Sequence, residues 1–271
     1  MREISYFSVV IPTFGEKGIG LTKRCVESLR LTHEHLGQDV IEVVIVEDSE
    51  DQLVLEQLDK IANQHNCQLL NQANGGFAKA CNLGLKNANG MLNFLVNNDI
   101  EFYEPCLQIL SDAAQITMAG VIGCRLLYPD SRIQHAGVVF VPTPDGPLPG
   151  YFDHVLRFQN AMHPYATVLR PSLVTGAMFG ITRWAIDVVG LLDERFGFTA
   201  EDIDYCFQVM EAGRDSFFCG YSAAVHKEGA TRGASPEEKA KLAPDVAEKE
   251  MKSLAFLFQK WVGADFSVFA P

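Results

Sequence analysis

MLNFLVNNDIE, at residues 91–101, decides the fold, because a largely apolar run ends there in a cluster of amides and carboxylates. Similar apolar runs precede it along the chain: SVVIP at 8–12, IEVVIV at 41–46 and CQLL at 67–70. Short apolar runs that are rich in β-branched residues are typical of strands with both faces buried. The sequence therefore predicts a series of buried strands in its first part.

Segments with the apolar spacing of helices separate these strands, at residues 22–35, 52–65 and 77–87, and another follows at 105–117. Strands that alternate with helices indicate an α/β fold, in which helices cover both faces of a mostly parallel sheet. Ligands bind such sheets just outside the carboxyl ends of the strands. The segments in those positions are polar and are the first candidates for a site: residues 13–16, 47–50, 71–76 and 97–101.

Composition changes after the first part of the chain. Residues 126–170 are rich in Pro, Gly and His and include PTPDGPLPG at 142–150. We expect an irregular insertion there, with short strands, that serves as a flexible lid. Regular structure is expected again over residues 175–225.

The chain has 271 residues, which favours one domain with a peripheral extension. We expect the domain over residues 1–233, in two parts that meet at residue 125, and a C-terminal helical extension over 234–271. Ser235-Pro236-Glu237-Glu238 has the N-cap and capping-box pattern of a helix start.

Charge and cysteine content exclude several classes of protein. A formal charge of −12, from 34 acidic and 22 basic residues, argues against nucleic acid as a partner. The seven cysteines are odd in number, scattered and without a C-x-x-C pair, which is typical of reduced thiols in a cytosol. No signal peptide and no membrane-spanning run is recognised, so we expect a cytoplasmic protein.

The expected C-terminal helix carries an apolar stripe: Leu254, Leu257, Phe258 and Trp261. Such a stripe is typical of a helix that packs on its own domain or on a partner subunit, as in a homodimer. Three lysines, Lys249, Lys252 and Lys260, keep a second interpretation open. In it, the helix lies at the inner face of the cell membrane as a peripheral contact.

Asp99 is the first candidate metal ligand. A carboxylate after a strand can hold a hard divalent cation, and that cation can neutralise a diphosphate. An Asn/Asp turn at the end of a strand explains the same residues without a metal. His226 ends another apolar run, and its imidazole could complete the site with Asp99, although a lone histidine also serves structural or surface roles.

Three acids occur within four residues: Glu201, Asp202 and Asp204. Thr199 and Asp202 have the spacing of a capping box at a helix start. Capping explains one carboxylate only, since acids at a helix N-terminus gain ~0.3–1 kcal/mol each and repel one another. A carboxylate held at a helix start is well placed to be a general base.

Residues 74–84, NGGFAKACNLG, place glycines at the entrance of a helix. The free N–H groups of a helix start suit an anion or a ribose hydroxyl. The pattern is neither G-x-G-x-x-G nor a Walker A loop, so the usual dinucleotide and P-loop assignments do not apply. An ordinary helix start explains it equally well.

In order, these motifs resemble the inverting family 2 glycosyltransferases, over about residues 7–233. The matching segments are VVIPTF at 9–14, VEDSE at 46–50, NGGFAKACNLG at 74–84, NND at 97–99, YPDSRIQHAG at 128–137, VTGA at 174–177, GLLDERF at 190–196, EDID at 201–204, and His226 with TRG at 231–233. Segment 128–137 is similar to the branch that acts on bacterial surface polysaccharides. The resemblance implies the GT-A fold, a Rossmann-like mostly parallel sheet in a single domain, here with a C-terminal helical extension.

The resemblance also implies roles. Asp202 would be the catalytic base, and Asp99 and His226 would hold Mn²⁺ or Mg²⁺. The implied nucleotide- and donor-binding residues are Pro12, Thr13, Glu47, Asp48, Asn74, Gly76, Lys79, Asn98 and Asp99. The implied substrate-binding residues are Thr175, Gly176, Ala177, Glu201 and Arg232. Residues 1–125 would bind the nucleotide, and residues 126–233 would bind the acceptor and carry the base.

The implied reaction moves a sugar from a nucleotide-diphosphate sugar, with a UDP- or dTDP-sugar as the expected donor. The acceptor would be a hydroxyl of a glycan or of a lipid-linked glycan, and the anomeric centre would invert. Two residues depart from the family pattern. Asn97 replaces the first acid of D-x-D, which removes a negative charge near the metal and shifts the load to Asp99 and His226. Glu47 replaces an aspartate with a longer side chain.

Two other functions remain open at this point. A sugar-1-phosphate nucleotidyltransferase would share the α/β core, but it needs a glycine-rich basic loop near the N-terminus. GEKGIGLTK at residues 15–23 is the nearest candidate and contains an acid. The other alternative is a catalytically inactive carbohydrate-binding protein of the GT-A fold, against which Asp99, Asp202 and His226 argue.

Overall fold

The computed structural model describes residues 6–37, 40–197, 199–227 and 246–269. Within these residues, strands alternate with helices through the first part of the chain, as the sequence predicts. The elements there are β1 (Phe7–Thr13), α1 (Gly15–Thr32), β2 (Ile41–Glu47), α2 (Gln52–His65), β3 (Gln68–Asn71), α3 (Phe77–Asn87), β4 (Leu92–Val96), β5 (Ile100–Glu101), α4 (Leu107–Thr117) and β6 (Val121–Leu127).

The second part contains five short strands, the longer strand β12 and three helices among its described residues. The elements there are β7 (Ile133–His135), β8 (Val138–Pro142), β9 (Gly150–His154), β10 (Leu169–Pro171), β11 (Met178–Thr182), α5 (Arg183–Val188), α6 (Glu201–Glu211), β12 (Ser216–His226) and α7 (Val246–Lys260). An irregular insertion with short strands at 126–170 is therefore confirmed, and PTPDGPLPG connects the β8–β9 hairpin. Its role as a lid stays a prediction.

Among the described residues, ten strands form one sheet in the order β10-β12-β6-β11-β4-β1-β2-β3, with β5 beside β12 and β7 beside β6. Strands β1 to β4 run parallel where they pair, and so do β6 and β12. β11 lies antiparallel between β4 and β6. The predicted α/β fold with a mostly parallel sheet is thus confirmed.

Helices cover both faces of this sheet because side chains alternate along each strand. Val10 belongs to the core cluster that contains Cys81 of α3. Val9, its neighbour on β1, belongs to the opposite cluster, with Cys25 of α1 and Leu110 of α4. All five of these side chains are fully buried. The strands therefore read as continuous apolar runs rather than as alternating ones.

The structure corrects the predicted start of the first helix. Residues 52–65 and 77–87 are helical as predicted, but α1 begins at Gly15 and not at residue 22. The glycine-rich turn hid this start from the apolar spacing. Gly18 is needed there, since a Cβ at this position would lie only 2.2 Å from Thr13 Oγ1. The glycine lets the helix approach the end of β1.

The C-terminal helix α7 packs on the domain. Leu257 and Phe258 of its predicted apolar stripe are buried, and the Phe258 ring lies 6.2 Å from Phe152 and 6.1 Å from Phe140 of the hairpin. The predicted helix start at 235–238 lies outside the described residues, so the predicted boundary at residue 233 stays a prediction. Within the described ranges, no helix is long and apolar enough to cross a bilayer.

Candidate active site

Asp99 and His226 form the centre of the candidate site. Strands β5 and β12 pair antiparallel with Ile100 opposite His226, which brings the residue before β5 beside the last residue of β12. His226 Nε2 lies 3.0 Å from Asp99 Oδ1, and each residue is only 8% exposed. The structure therefore brings together the two residues that were predicted as metal ligands.

The electrostatics of this pair favour a cation. His226 Nδ1 lies 2.7 Å from Gln134 Oε1, and because an amide oxygen can only accept, this contact is a hydrogen bond when Nδ1 carries a proton. With its single proton on Nδ1, the imidazole would present the Nε2 lone pair to the Asp99 carboxylate. Either a proton on Nε2 or a metal ion must separate these electron-rich groups. One carboxylate and one imidazole are suitable ligands for Mn²⁺ or Mg²⁺.

The protein offers few further ligands at this point. Within the described ranges, no group of three His, Cys, Asp or Glu side chains could hold a metal ion. Asn97 stands in place of an acid, with Nδ2 3.4 Å from His226 Nε2. A cation such as Mg²⁺ is commonly held by one or two carboxylates together with substrate phosphates. A cation held by Asp99 and His226 would therefore keep coordination positions for a diphosphate.

Two cations beside Asp99 were missed by the sequence reasoning. Glu101 Oε1 lies 3.2 Å from Arg24 Nε and also binds Lys227 Nζ. Lys227 donates its backbone N–H to Asp99 O at 3.1 Å. Positive charge near Asp99 and His226 suits an anionic ligand. The position of Lys227, directly after the candidate histidine, was the only sequence signal for it.

The end of β1 contacts Asn98, the residue that precedes Asp99. Asn98 Nδ2 donates to Thr13 Oγ1 at 2.9 Å, and both Pro12 and Thr13 are buried at the carboxyl end of the strand. Asp48 donates its backbone N–H to Thr13 O at 3.0 Å. The predicted donor-binding residues of β1, β2 and β4 thus meet at one edge of the sheet.

Asp48 organises the loop that precedes α3. Its Oδ1 accepts from Gly75 N at 2.6 Å and from Gln72 Nε2 at 2.8 Å, and its Oδ2 accepts from Gly76 N at 2.8 Å. Gly76 has a φ of 90°, which favours glycine. The carboxylate therefore fixes the predicted nucleotide loop from within, and a contact between Asp48 and a nucleotide stays a prediction.

Glu47 is fully buried, and its Oε1 accepts from Gly15 N at 2.8 Å. Burial raises the pKa of the Glu47 carboxyl. This bond ties the end of β2 to the start of α1, a structural role that the sequence did not predict. Asn74 and Lys79, by contrast, are exposed at the same edge, where a ligand could reach them.

Asp202 lies in the first turn of α6 and is aimed by the backbone of the predicted substrate-binding segment. Its Oδ2 accepts from Gly176 N at 2.6 Å, and its Oδ1 accepts from Ile203 N at 2.8 Å. The side chain is half-buried, and desolvation raises the pKa of its carboxyl. A carboxylate with a raised pKa is a stronger base than an ordinary aspartate.

A short backbone connection joins the candidate base to the segment that carries Asp99. Gly176 contacts Asp202, and the next residue, Ala177, accepts from Asn97 N at 2.9 Å through its carbonyl oxygen. Thr175 Oγ1 accepts from Ala177 N at 3.4 Å. The predicted substrate-binding residues Thr175, Gly176 and Ala177 thus lie between the two candidate centres.

The other two acids of α6 differ from Asp202. Glu201 is buried, and Asp204 is fully buried. Asp204 accepts from Lys260 Nζ and Trp261 Nε1, both at 2.8 Å, at the end of α7. This acid therefore anchors the C-terminal helix, which sequence reasoning did not foresee. Arg232, the remaining predicted substrate-binding residue, lies outside the described residues.

Two motif residues of the 74–84 segment have structural tasks. Asn82 donates to Leu192 O at 2.9 Å and to Glu194 Oε1 at 3.0 Å, and its Oδ1 accepts from Leu192 N at 3.0 Å. A Cβ at Gly84 would lie 2.1 Å from Val10 Cγ1, so only glycine lets α3 pack this closely on β1. These residues position the loop and are buried away from any ligand.

Known proteins match the part of the chain that contains the candidate site. The family model of glycosyl transferase family 2 matches residues 8–142, which include β1 to β8 and the Asp99 segment. Over 164 residues, the chain is 30% identical to the O-antigen biosynthesis protein RfbC of Myxococcus xanthus; this match covers 56% of the chain and 12% of RfbC. The chain spans at most a fifth of the length of the curated relatives that it matches.

Solved structures share the fold over almost the whole chain. GalNAc-T7, in a crystal structure with UDP, GalNAc and Mn²⁺, superimposes with a TM-score of 0.67 at 14% identity, covering 99% of this chain and 56% of that one. The mannosyltransferase PcManGT from Pyrobaculum calidifontis, in complex with GDP-Man and Mn²⁺, has a TM-score of 0.58 at 14% identity, covering 97% and 77%. These likenesses confirm the GT-A fold. The family match and the fold agree: the chain belongs to glycosyl transferase family 2.

Proposed function

We propose that this protein transfers a sugar from a nucleotide-diphosphate sugar to an acceptor hydroxyl, with inversion and with the help of Mn²⁺ or Mg²⁺. One observation carries the proposal. A carboxylate with a raised pKa, Asp202, lies one short backbone connection from Asp99 and His226. An inverting transfer needs such a base at the acceptor and positive charge at the leaving diphosphate.

The chain's own residues divide the work. Asp202 would accept the proton of the acceptor hydroxyl while that oxygen attacks the anomeric carbon from the face opposite the diphosphate. The bond between the anomeric carbon and the diphosphate oxygen breaks, and a nucleoside diphosphate leaves. A divalent cation held by Asp99 and His226 would neutralise the charge of that leaving group. Lys227 and Arg24, which both bind Glu101 two residues after Asp99, would add positive charge nearby.

The similar proteins support a class of donor and a class of acceptor. GalNAc-T7 was crystallised with UDP, which supports a UDP-sugar donor, and a dTDP-sugar would present the same diphosphate. RfbC is named for O-antigen biosynthesis, which supports a glycan or lipid-linked glycan as acceptor in surface-polysaccharide assembly. A peripheral contact with the inner face of the membrane would suit a lipid-linked acceptor.

The structure weighs against a nucleotidyltransferase. Residues 15–23, the nearest candidate for a triphosphate loop, form the start of α1, and Gly15 N is already bonded to Glu47 Oε1. An inactive carbohydrate-binding protein would have no need for the arrangement of Asp202 beside Gly176. Both alternatives nevertheless have their own outcome in the experiment below.

The experiment incubates the protein with a panel of nucleotide sugars and Mn²⁺ and measures the release of nucleoside diphosphate. We expect release from one or a few donors, increased by a glycan-containing acceptor extract. Release of pyrophosphate from a nucleoside triphosphate plus sugar 1-phosphate would instead support the nucleotidyltransferase. Thermal stabilisation by donors without turnover in either assay would support the binding protein.

A further inference from the structure

Gln134 lies within the 128–137 motif, and the proposed reaction assigns it no role. It is 3% exposed, lies on β7, and places Oε1 2.7 Å from His226 Nδ1. A histidine that ligates a metal almost always donates its second ring N–H to an oxygen acceptor, and Gln134 Oε1 is an acceptor in that position. There, the partner of the second ring nitrogen fixes the tautomer and the orientation of the imidazole.

A β-bulge directs Gln134 toward the site. Strand β7 pairs antiparallel with β6, where Leu127 is opposite Ile133 but Leu126 is opposite His135, so the register shifts across Gln134. The extra residue of a bulge bends a strand and re-aims its side chain, and bulges are frequent beside active sites. Ile133 is held further by Gln159 O, which accepts from Ile133 N at 2.8 Å. The amide therefore stands on fixed backbone.

The pairing of strands in the sheet sets the position of Gln134 relative to His226. Strand β6 pairs in parallel with β12, with Leu127 beside Val225, and β12 ends at His226. β5 lies on the other side of this end of β12 and leads back to Asp99. His226 is thus held between Gln134 on one side and Asp99 on the other.

We infer that Gln134 is a positioning residue for His226. By accepting a hydrogen bond from Nδ1–H, it keeps the imidazole in the tautomer whose Nε2 lone pair faces Asp99 and the cation that would lie between them. This inference rests on the proposed function, because it gives the Asp99–His226 pair a metal to bind. Gln134 itself touches no metal and no reacting atom.

The first test observes the tautomer without metal or substrate. Long-range ¹H–¹⁵N spectra of the histidine rings, with His226→Ala to assign the His226 signals, distinguish a protonated Nδ1 from a protonated Nε2. We expect Nδ1 to be protonated in the natural protein. A ring with its single proton on Nε2 would overturn the inference, whether or not any variant folds.

The second test compares Mn²⁺ binding to Gln134→Met and Gln134→Glu, measured as free Mn²⁺ by electron paramagnetic resonance. Methionine has a similar length but no oxygen to accept the hydrogen bond from Nδ1–H. We therefore expect Mn²⁺ to bind roughly 10–100-fold more weakly, the usual cost of losing such a partner. Glutamate can accept this hydrogen bond, so Gln134→Glu should bind Mn²⁺ like the natural protein. Unchanged affinity in a folded Gln134→Met, or equal losses in Met and Glu, would overturn the inference.

Gln208→Met is the matched control. Gln208 also uses its amide in a side-chain hydrogen bond, to Asp204 Oδ2 at 2.7 Å, but its partner is the anchor of α7. We expect its Mn²⁺ affinity and His226 tautomer to be unchanged. These readouts need no sugar donor, so failure of the donor panel would sink the proposed function and leave the assignment of Gln134 to be judged by the tautomer.

Discussion

Asp202 is the residue on which the proposed chemistry depends most. Replacing it with asparagine keeps its shape and removes its basicity, so Asp202→Asn should lower the transfer rate by roughly 10²–10⁴-fold, the range of general-base catalysis. Donor affinity, measured by calorimetry with a nucleoside diphosphate and Mn²⁺, should change little. Full activity in this variant would remove Asp202 from the base role.

The pH dependence of the reaction provides a separate test. Desolvation raises the pKa of Asp202, and a base must be ionised to accept a proton. As the pH falls through this raised pKa, the ionised fraction falls, so kcat/KM should decline at a pH above about 3.9, the ordinary aspartate value. Melting temperatures over the same pH range separate this loss from unfolding. A decline only at or below the ordinary value would contradict the assignment.

His226 should matter for metal binding and little for the fold. His226→Ala removes one of the two side chains at the candidate metal site, and we expect Mn²⁺ to bind about tenfold or more weakly. Mn²⁺ dependence of nucleoside diphosphate release is the measurement. His35→Ala, at an exposed histidine, is the control. Equal Mn²⁺ dependence in both variants would exclude His226 from the site.

Single residues also mark the limit of sequence reasoning. Asp99 and His226 were predicted to share a site and are in contact, whereas the contact between Asp202 and Gly176 was not predicted. Gln134 and Arg24 reach the site from distant segments through strand and helix packing, which leaves no local pattern in the sequence. The tasks of Asp48 and Asp204 were equally hidden, because a carboxylate that binds the protein and one that binds a ligand look alike in a sequence.

Among the elements, α7 is tied to the helix of the candidate base. Lys260 Nζ lies 2.9 Å from Asp193 Oδ2 and 2.8 Å from Asp204 Oδ2. Hydrogen bonds from Arg195, and then from Lys260, lower the pKa of the Asp193 carboxyl. The C-terminal extension is therefore part of what holds α6 in place, since Asp204 follows Asp202 by two residues.

This anchor can be tested by comparing two lysines of α7. Lys260→Met leaves Asp204 buried without its charged partner, so we expect a loss of about 3 kcal/mol in the free energy of unfolding, near the lower end for a broken buried pair. Lys252→Met breaks only an exposed pair with Glu248 and should cost about 1 kcal/mol or less. Urea unfolding measures both. Equal losses in the two variants would contradict the anchor.

The elements divide by how local their signals are. Helices α2 and α3 match their predicted bounds, because their apolar spacing and their flanking polar residues lie within each segment. The predicted start of α1 was wrong, because close packing of Gly18 on Thr13 outweighs the poor helix propensity of glycine. The placement of β11 between β4 and β6 depends on pairing over long distances, which no local pattern records.

At the scale of the whole molecule, the sheet places every candidate centre along one edge. The ends of β1, β2 and β4 hold the donor-binding candidates, and the end of β12 brings His226 to them. A parallel sheet gathers distant segments in this way because its strands end on the same side. Alternation of strands and helices was enough to predict this edge, and the family resemblance was needed to assign chemistry to it.

The central claim is sugar transfer assisted by a metal, and the metal dependence of donor turnover tests it most directly. The protein is treated with EDTA, desalted, and supplied with its best nucleotide sugar with and without added Mn²⁺, while nucleoside diphosphate is measured. We predict that release stops in the treated protein and returns on addition of Mn²⁺. Release at an unchanged rate without any divalent cation would contradict the account.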